Sequence, residues 1–458
     1  MAPSRWLLPD AVLWDAHLLR GAAVEVSDDG ILLSAGALPL GATVETLPGR
    51  LLLPGLVDVH SHAFQRTLRG RTQARSPDVE VDDFWTWREA MYRAAMSLDP
   101  DGVYVASRQC FLEMALAGIT SVGEFHYLHN QPDGKPYAEP LELALQVIRA
   151  AREVGLRIVL LRAGYTRAGY MAKPNPRQVR FYDASPEAWL SAAASLRTRT
   201  AKDALVTVGI APHSVRAVPR SWLEAAVRSK EPLVHMHVAE QPEEVVVCQA
   251  EYGRRPVELL ADVGLISSGF TAVHGVYTMP HERELLRGAS VCACPSTERD
   301  LGDGVLAADG MARAGVRLCI GTDSQATLDL FDELRMMEGS LRLTRGRRAV
   351  LDAPPGPDGL GQLLLSFASE NGARALGLPT GVLRPGAPAD VCTVDLGHPS
   401  LVGAPANALL ASVVFGAPAT AVRDVAVQGR WVVRDGRHPL SDESARAYAE
   451  LCRRVFTA

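Results

Sequence analysis

Apolar residues along this chain gather in short runs with the composition of buried β-strands. Between several of them lie stretches whose apolar positions recur with helical period. The strand-like runs fall at 51–62, 120–125, 157–165, 205–213, 233–240, 270–276, 290–296 and 316–324. Helical spacing marks 103–117, 141–154, 186–196 and 256–263. Eight strands alternating with helices predict an α/β protein, a (β/α)8 TIM-type barrel with insertions over residues 50–377, whose chemistry belongs at the C-terminal strand ends.

The two ends of the chain read differently. Short β-like pieces at 11–14, 23–26 and 31–34 are punctuated by turn residues such as Asp28-Asp29-Gly30, and the same texture returns at 389–395 and 424–433. Each end has strands and neither has a core, so residues 1–49 and 378–458 are expected to pair into one small β-sandwich domain.

Where each run stops is informative. The first ends in His60-Ser61-His62. Residues i and i+2 of an extended chain point the same way, so both imidazoles can address one divalent ion; two histidines in a surface turn is the competing account. The other strand ends decide between them. The fifth run ends in His235-Met236-His237-Val238-Ala239-Glu240, the sixth in His274 and the eighth in Asp323. His237 is the expected third ligand and Asp323 the fourth. His235 lies one layer deeper and reads as a core histidine. Glu240, just beyond its strand, can reach a metal-bound water.

An ion held by three imidazoles and a carboxylate acidifies water. Glu240 can take that proton and pass it to a leaving nitrogen, a base becoming an acid. His274 is placed to stabilise the tetrahedral intermediate or the attacking water, and Asp323 can accept a hydrogen bond from the nucleophile as well as ligate. No lysine stands at a strand end to bridge two ions as a carbamate, so one divalent ion is expected, zinc before iron.

Composition narrows the setting. The 458 residues are 47% hydrophobic and 22% charged with a net charge of −5, ordinary for a soluble globular protein. No Lys/Arg block suggests a nucleic-acid or anionic-membrane partner. Seven scattered cysteines without CxxC spacing read as reduced, mostly buried thiols, with Cys292 and Cys294 as core residues of a strand. No secretory h-region or long apolar span is present, so a cytoplasmic location is expected.

The segment Pro54-Gly55-Leu56-Val57-Asp58-Val59-His60-Ser61-His62, the string His237-Val238-Ala239-Glu240, His274 and Asp323 resemble the amidohydrolase superfamily in its mononuclear deaminase branch. A closer resemblance runs along nearly the whole chain. His60-Ser61-His62-Ala63-Phe64-Gln65-Arg66, Phe84-Trp85-Thr86-Trp87-Arg88-Glu89, Glu124-Phe125-His126-Tyr127 and Leu301-Gly302-Asp303-Gly304 are similar to the N-formimidoyl-L-glutamate deiminases of bacterial histidine degradation. That resemblance implies hydrolysis of N-formimidoyl-L-glutamate to N-formyl-L-glutamate and ammonia. It implies metal ligands at His60, His62, His237 and Asp323, with Glu240 and His274 catalytic. It also implies substrate contacts at Gln65 near the formimidoyl group and at Arg88, Tyr127, His213 and Arg216 around the glutamyl portion, and a homodimer.

The residue types suit such a small dicarboxylate. Guanidinium forks match carboxylates, a tyrosine hydroxyl can donate to one, and a glutamine offers a donor and an acceptor to an amidine. Two features depart from the pattern: Gln325 stands where a histidine is common in the branch, and Arg162-Ala163-Gly164-Tyr165 lacks the expected Ser/His-rich texture. Both bear on substrate fit. The alternatives are a related deaminase or ring hydrolase acting on guanine, cytosine or imidazolonepropionate, which would give little use to Arg88 and Arg216 together, and a non-catalytic scaffold, against which the complete ligand set argues. The segment 66–90 and the Gly-Asp-Gly at 302–304 are candidate mobile or partner-contacting loops.

Overall fold

The computed structural model describes residues 4–74 and 82–456. The strands, in chain order, are β1 Ser4–Trp14, β2 His17–Arg20, β3 Ala23–Ser27, β4 Leu32–Gly36, β5 Val44–Pro54, β6 Leu56–Ser61, β7 Ile119–His126, β8 Arg157–Gly164, β9 Val206–Pro212, β10 Val234–Val238, β11 Phe270–His274, β12 Ser290–Ala293, β13 Arg317–Ile320, β14 Val391–Asp395, β15 Val422–Val427 and β16 Arg430–Val433. From β6 to β13 each strand pairs in parallel with the next, in the order of a (β/α)8 barrel. All eight strands expected of the barrel are present. Their apolar runs are continuous because both faces are covered, one by the barrel interior and one by helices. Every residue of β7 and β8, for instance, is buried.

The crossover helices follow from their spacing. In the helix Glu142–Val154 the buried residues Leu143, Ala144, Val147, Ile148, Ala150, Ala151 and Val154 form one stripe, and Gly155 ends it in a left-handed conformation at φ +86°.

The barrel closes between its first and last strands. The Asp323 amide donates to the His60 carbonyl at 2.9 Å and the His62 amide to the Asp323 carbonyl at 3.1 Å. Buried Asp58 staples the same seam, accepting from the Thr322 amide at 3.0 Å and the Thr322 hydroxyl at 2.6 Å. Gln325 continues it, donating to Ser61 Oγ at 2.9 Å and to the Asp323 carbonyl at 3.0 Å. The glutamine that departs from the related pattern is thus part of the closure.

The remaining strands make one hydrogen-bonded sheet in the order β16-β15-β14-β5-β1-β3-β4, with β2 also on β1. Both ends of the chain contribute, as expected, and β5 joins them, antiparallel to β14 and parallel to β1. The run 51–62 is therefore two strands in two sheets, divided at Gly55, not one. A Cβ on Gly55 would fall inside the Thr120 side chain, so only glycine lets the chain cross between the layers there. The C-terminal stretch also holds helices: Ser441–Phe456 packs on Pro100–Leu116, with Ser444 Oγ donating to Gln109 at 2.9 Å and Tyr448 to the Arg66 carbonyl at 2.7 Å.

Of the two candidate loops, residues 75–81 of the first lie outside the described residues. In the second, Asp303 is buried; Gln241 donates to its carboxylate and the Tyr277 hydroxyl donates to its carbonyl at 2.6 Å. Among the described residues no helix is long and apolar enough to cross a membrane. All seven cysteines are unpaired, and all but Cys452 are buried.

Candidate active site

At the C-terminal strand ends, His60 from β6, His62 just beyond it, His237 from β10 and Asp323 beyond β13 converge, with all four potential ligand atoms within 4.8 Å of one another. Asp323 Oδ1 is 3.3 Å from both His60 Nε2 and His62 Nε2. His237 Nε2 is 3.1 Å from His60 Nε2 and 3.4 Å from His62 Nε2. The set is oriented by backbone: His62 Nδ1 faces the Phe125 carbonyl at 2.8 Å and His237 Nδ1 the His213 carbonyl at 3.0 Å. If each donates its Nδ1 hydrogen there, its Nε2 lone pair points inward.

These rings are held neutral. Burial pushes His60 down to about 3 and lowers His62, and burial together with neighbouring His213 pushes His237 well down. Burial alone would raise Asp323, but the hydrogen bond with His60 and the electrostatic pull of the neighbouring imidazoles, His274 among them, outweigh it and hold the carboxyl below its usual range. Unprotonated nitrogens crowded against one another and against a carboxylate repel unless a cation lies among them. The spacing fits one: donors about 2.1 Å from a tetrahedral ion lie about 3.4 Å apart. The residues present therefore suit a single divalent ion.

A second grouping, His274 with Cys294 and Asp323, is also compact. It suits an ion less well. Burial pushes the Cys294 thiol well up. Burial would also lower His274, but the opposing charge of Glu240, the hydrogen bond with Glu298 and the charge of Asp323 prevail and raise it to about 10. His274 is thus favoured as an imidazolium, 3.6 Å from Glu240 Oε1 and 3.5 Å from Asp323 Oδ2, and its Nε2 has no hydrogen-bond partner among the described residues.

Glu240 lies between that imidazolium and Arg216, whose Nη2 donates to Glu240 Oε2 at 2.6 Å. The sequence placed Arg216 in the pocket but carried no sign of this pairing.

A narrow pocket of about 60 Å³ opens onto the cluster. His62, His237, Asp323 and Glu240 line its floor, and all five expected substrate residues, Gln65, Arg88, Tyr127, His213 and Arg216, line it too. His60 and His274 sit deeper, fully buried. Gln65 donates to the Tyr127 hydroxyl at 2.8 Å, leaving its buried Oε1 without a partner. Arg88, on the helix Phe84–Ser97, stacks 4.3 Å from the Trp85 ring, and its buried Nε also lacks a partner among the described residues. His213 is pushed well down by burial and Arg216, and its Nδ1 lies 3.2 Å from Ser214 Oγ. His235 contacts the Ala375 carbonyl at 2.9 Å, away from the ion site, as a core histidine should. Arg162 is held in a buried ion pair with Asp183 at 2.6 Å, whereas Tyr165, the last residue of the second departure, lines the pocket.

Sequence reasoning missed the carboxylates behind these residues. Glu298 accepts from the Cys294 amide at 3.0 Å and faces His274 Nδ1 at 3.4 Å. Glu124 takes the Ser61 hydroxyl at 2.6 Å and the Ala63 amide at 2.9 Å, gripping the chain on either side of His62, and burial raises it to about 8. The available signal is an acidic residue in an otherwise apolar strand, or one turn into the helix that follows a strand end.

A family model described as the amidohydrolase family matches residues 51–432. The formimidoylglutamate deiminase of Pseudomonas aeruginosa is 38% identical to this chain, with 98% of this chain and 97% of that one covered. The crystal structure of an amidohydrolase from Brucella melitensis has a TM-score of 0.91 at 33% identity, covering 98% of this chain and 99% of that one. An adenosine deaminase from Xanthomonas campestris, solved with bound zinc, shares the fold at a TM-score of 0.82 and 24% identity, covering 99% of this chain and 98% of that one. Barrel, ligand-type side chains and matching relatives agree, and the chain belongs to the amidohydrolase family.

Proposed function

We propose that this protein hydrolyses the amidine of N-formimidoyl-L-glutamate, giving N-formyl-L-glutamate and ammonia, in histidine degradation. The relative from Pseudomonas aeruginosa supports the reaction. The observation that carries the substrate class is Arg88, a guanidinium with an unpartnered buried Nε in the same pocket as the hydrolytic cluster. A substrate carboxylate would supply the missing partner, whereas an uncharged nucleobase would not.

One divalent ion, zinc before iron, would be held by His60, His62, His237 and Asp323. When bound, it supplies Lewis acidity that activates water and polarises the amidine. The protein's own groups do the rest. Gln65 Oε1 accepts an amidine N–H, while Arg88, Tyr127, His213 and Arg216 orient the glutamyl portion. The Glu240 carboxylate takes a proton from water as its oxygen bonds to the amidine carbon, then returns it to the departing nitrogen as the carbon–nitrogen bond breaks. His274 donates through Nε2 to the tetrahedral centre, and Asp323 accepts from the nucleophile.

The test is turnover by metal-loaded protein supplied separately with N-formimidoyl-L-glutamate, guanine and cytosine, read as ammonia release, and with imidazolonepropionate, read as loss of the ring's ultraviolet absorbance because opening that ring releases no ammonia. Turnover confined to the first supports the assignment. Turnover only of a ring compound overturns it.

A further inference from the structure

Glu240 stands three residues after His237, so in a regular strand the two side chains would point to opposite faces. Both nevertheless line one pocket. The alternation is broken at Ala239, whose φ of +50° lies in the left-handed region that disfavours a residue with a Cβ. Something must hold that turn.

Glu244, in the first turn of the helix Pro242–Tyr252, is 1% exposed and reaches back toward the strand. Its Oε1 accepts from the Ala239 amide at 3.0 Å and its Oε2 from the Glu240 amide at 3.3 Å. Oε2 also faces Arg216 Nε at 3.6 Å, on the guanidinium whose Nη2 donates to Glu240. One buried carboxylate therefore touches the turn that aims Glu240 and the arginine that grips it.

We propose that Glu244 is a positioning residue for the reaction: it keeps Ala239 left-handed and Arg216 in place, so that Glu240 faces the hydrolytic cluster. This rests on the function proposed above. A carboxylate that merely completes the packing would affect stability; one that aims Glu240 affects turnover through the turn.

The experiment compares wild type, Glu244→Gln and the double variant Ala239→Gly with Glu244→Gln, all metal-loaded. Glu244→Gln should keep its metal and lose about 10²-fold in kcat, the scale of a small misplacement of a reacting group, with KM raised through Arg216. Glycine adopts positive φ without a Cβ penalty, so the double variant should recover about tenfold in kcat while KM stays raised. Should the glutamine variant fail to fold, Glu244→Asp, which keeps the charge but withdraws it from the amides, is expected to show the same loss and the same rescue. A kcat within about twofold of wild type, or no recovery in the double variant, overturns the proposal. A crystal structure of metal-loaded, substrate-free Glu244→Gln separates this from the function assignment. Ala239 relaxed to negative φ with Glu240 turned from the pocket supports the positioning role whatever the substrate, and an unchanged turn refutes it.

Discussion

The amide of Asp323 donates to the carbonyl of His60 at 2.9 Å, so the hydrogen bond that closes the barrel also sets two of the four potential ligands side by side. Closure and the candidate ion site share one seam.

Gly321 precedes that seam, and a Cβ added to it would lie 2.8 Å from the His60 Cβ and 2.9 Å from the His60 nitrogen and oxygen. Backbone cannot yield as a flexible side chain does. Gly321→Ala should therefore destabilise the protein by about 1–3 kcal/mol and weaken metal retention together. Elemental analysis beside thermal unfolding checks this; full metal content at an unchanged melting temperature would show the seam to be looser than described.

Removing the ion should cost activity and stability at once. An ion present at about 1,000 times its Kd stabilises by about 4 kcal/mol through linkage alone. Dialysis against a chelator is expected to lower the melting temperature and abolish turnover, and zinc should restore both. Activity that survives chelation with no metal left in the protein would exclude the hydrolytic ion.

Glu240→Gln removes the carboxylate proposed to carry the proton and keeps the shape. A fall of about 10²–10⁴ in kcat, with metal content intact, is expected from the loss of general acid–base help. Stopped-flow or coupled ammonia assays read it, and near-normal turnover would transfer the role to another group.

Arg88→Ala should reduce kcat/KM for a dicarboxylate amidine by about 2–5 kcal/mol of lost pairing, and much less for a formamidine lacking carboxylates. Arg88→Lys should rescue only part, since an ammonium lacks the planar fork. Equal losses on both substrates would place Arg88 in packing with Trp85 instead.

Asp309 carries a pH prediction away from the site. Hydrogen bonds from Arg345, chiefly, and Arg313 hold its carboxyl below the ordinary value of 3.8. The folded state then binds fewer protons there than the unfolded state, so the stabilisation is full above about pH 4 and fades as pH falls through the depressed value. Asp309→Asn should cost about 1–2 kcal/mol at neutral pH, at the low end for charge-assisted bonds because both arginines reach solvent. Urea titrations at about pH 7 and about pH 3 should show that gap narrowing; a gap of constant size would refute the assignment.

The barrel and its ion cluster were legible because β-strand ends have few ways to look. An apolar run that stops at His60, His237, His274 or Asp323 puts a polar group where packing alone would not. Other features needed three dimensions. Nothing in Leu51-Leu52-Leu53-Pro54-Gly55 says that the run changes sheets, since burial on both sides looks alike in either. Glu244 and Glu298 read as ordinary acids near a helix start, because their targets are backbone amides exposed by the turns that follow β10 and β12. Arg216 was legible as a pocket cation, but its grip on Glu240 depends on two strand ends meeting in space.

The sheet built from both chain ends sets a timetable for biosynthesis. On the ribosome β5 emerges early, yet the edge that will meet β14, with Leu53 opposite Cys392, stays open until residue 391 has been made. All eight barrel strands are translated in that interval. An unsatisfied apolar edge is a template for the wrong neighbour, so the nascent chain is most exposed to misassembly just before its last strands arrive.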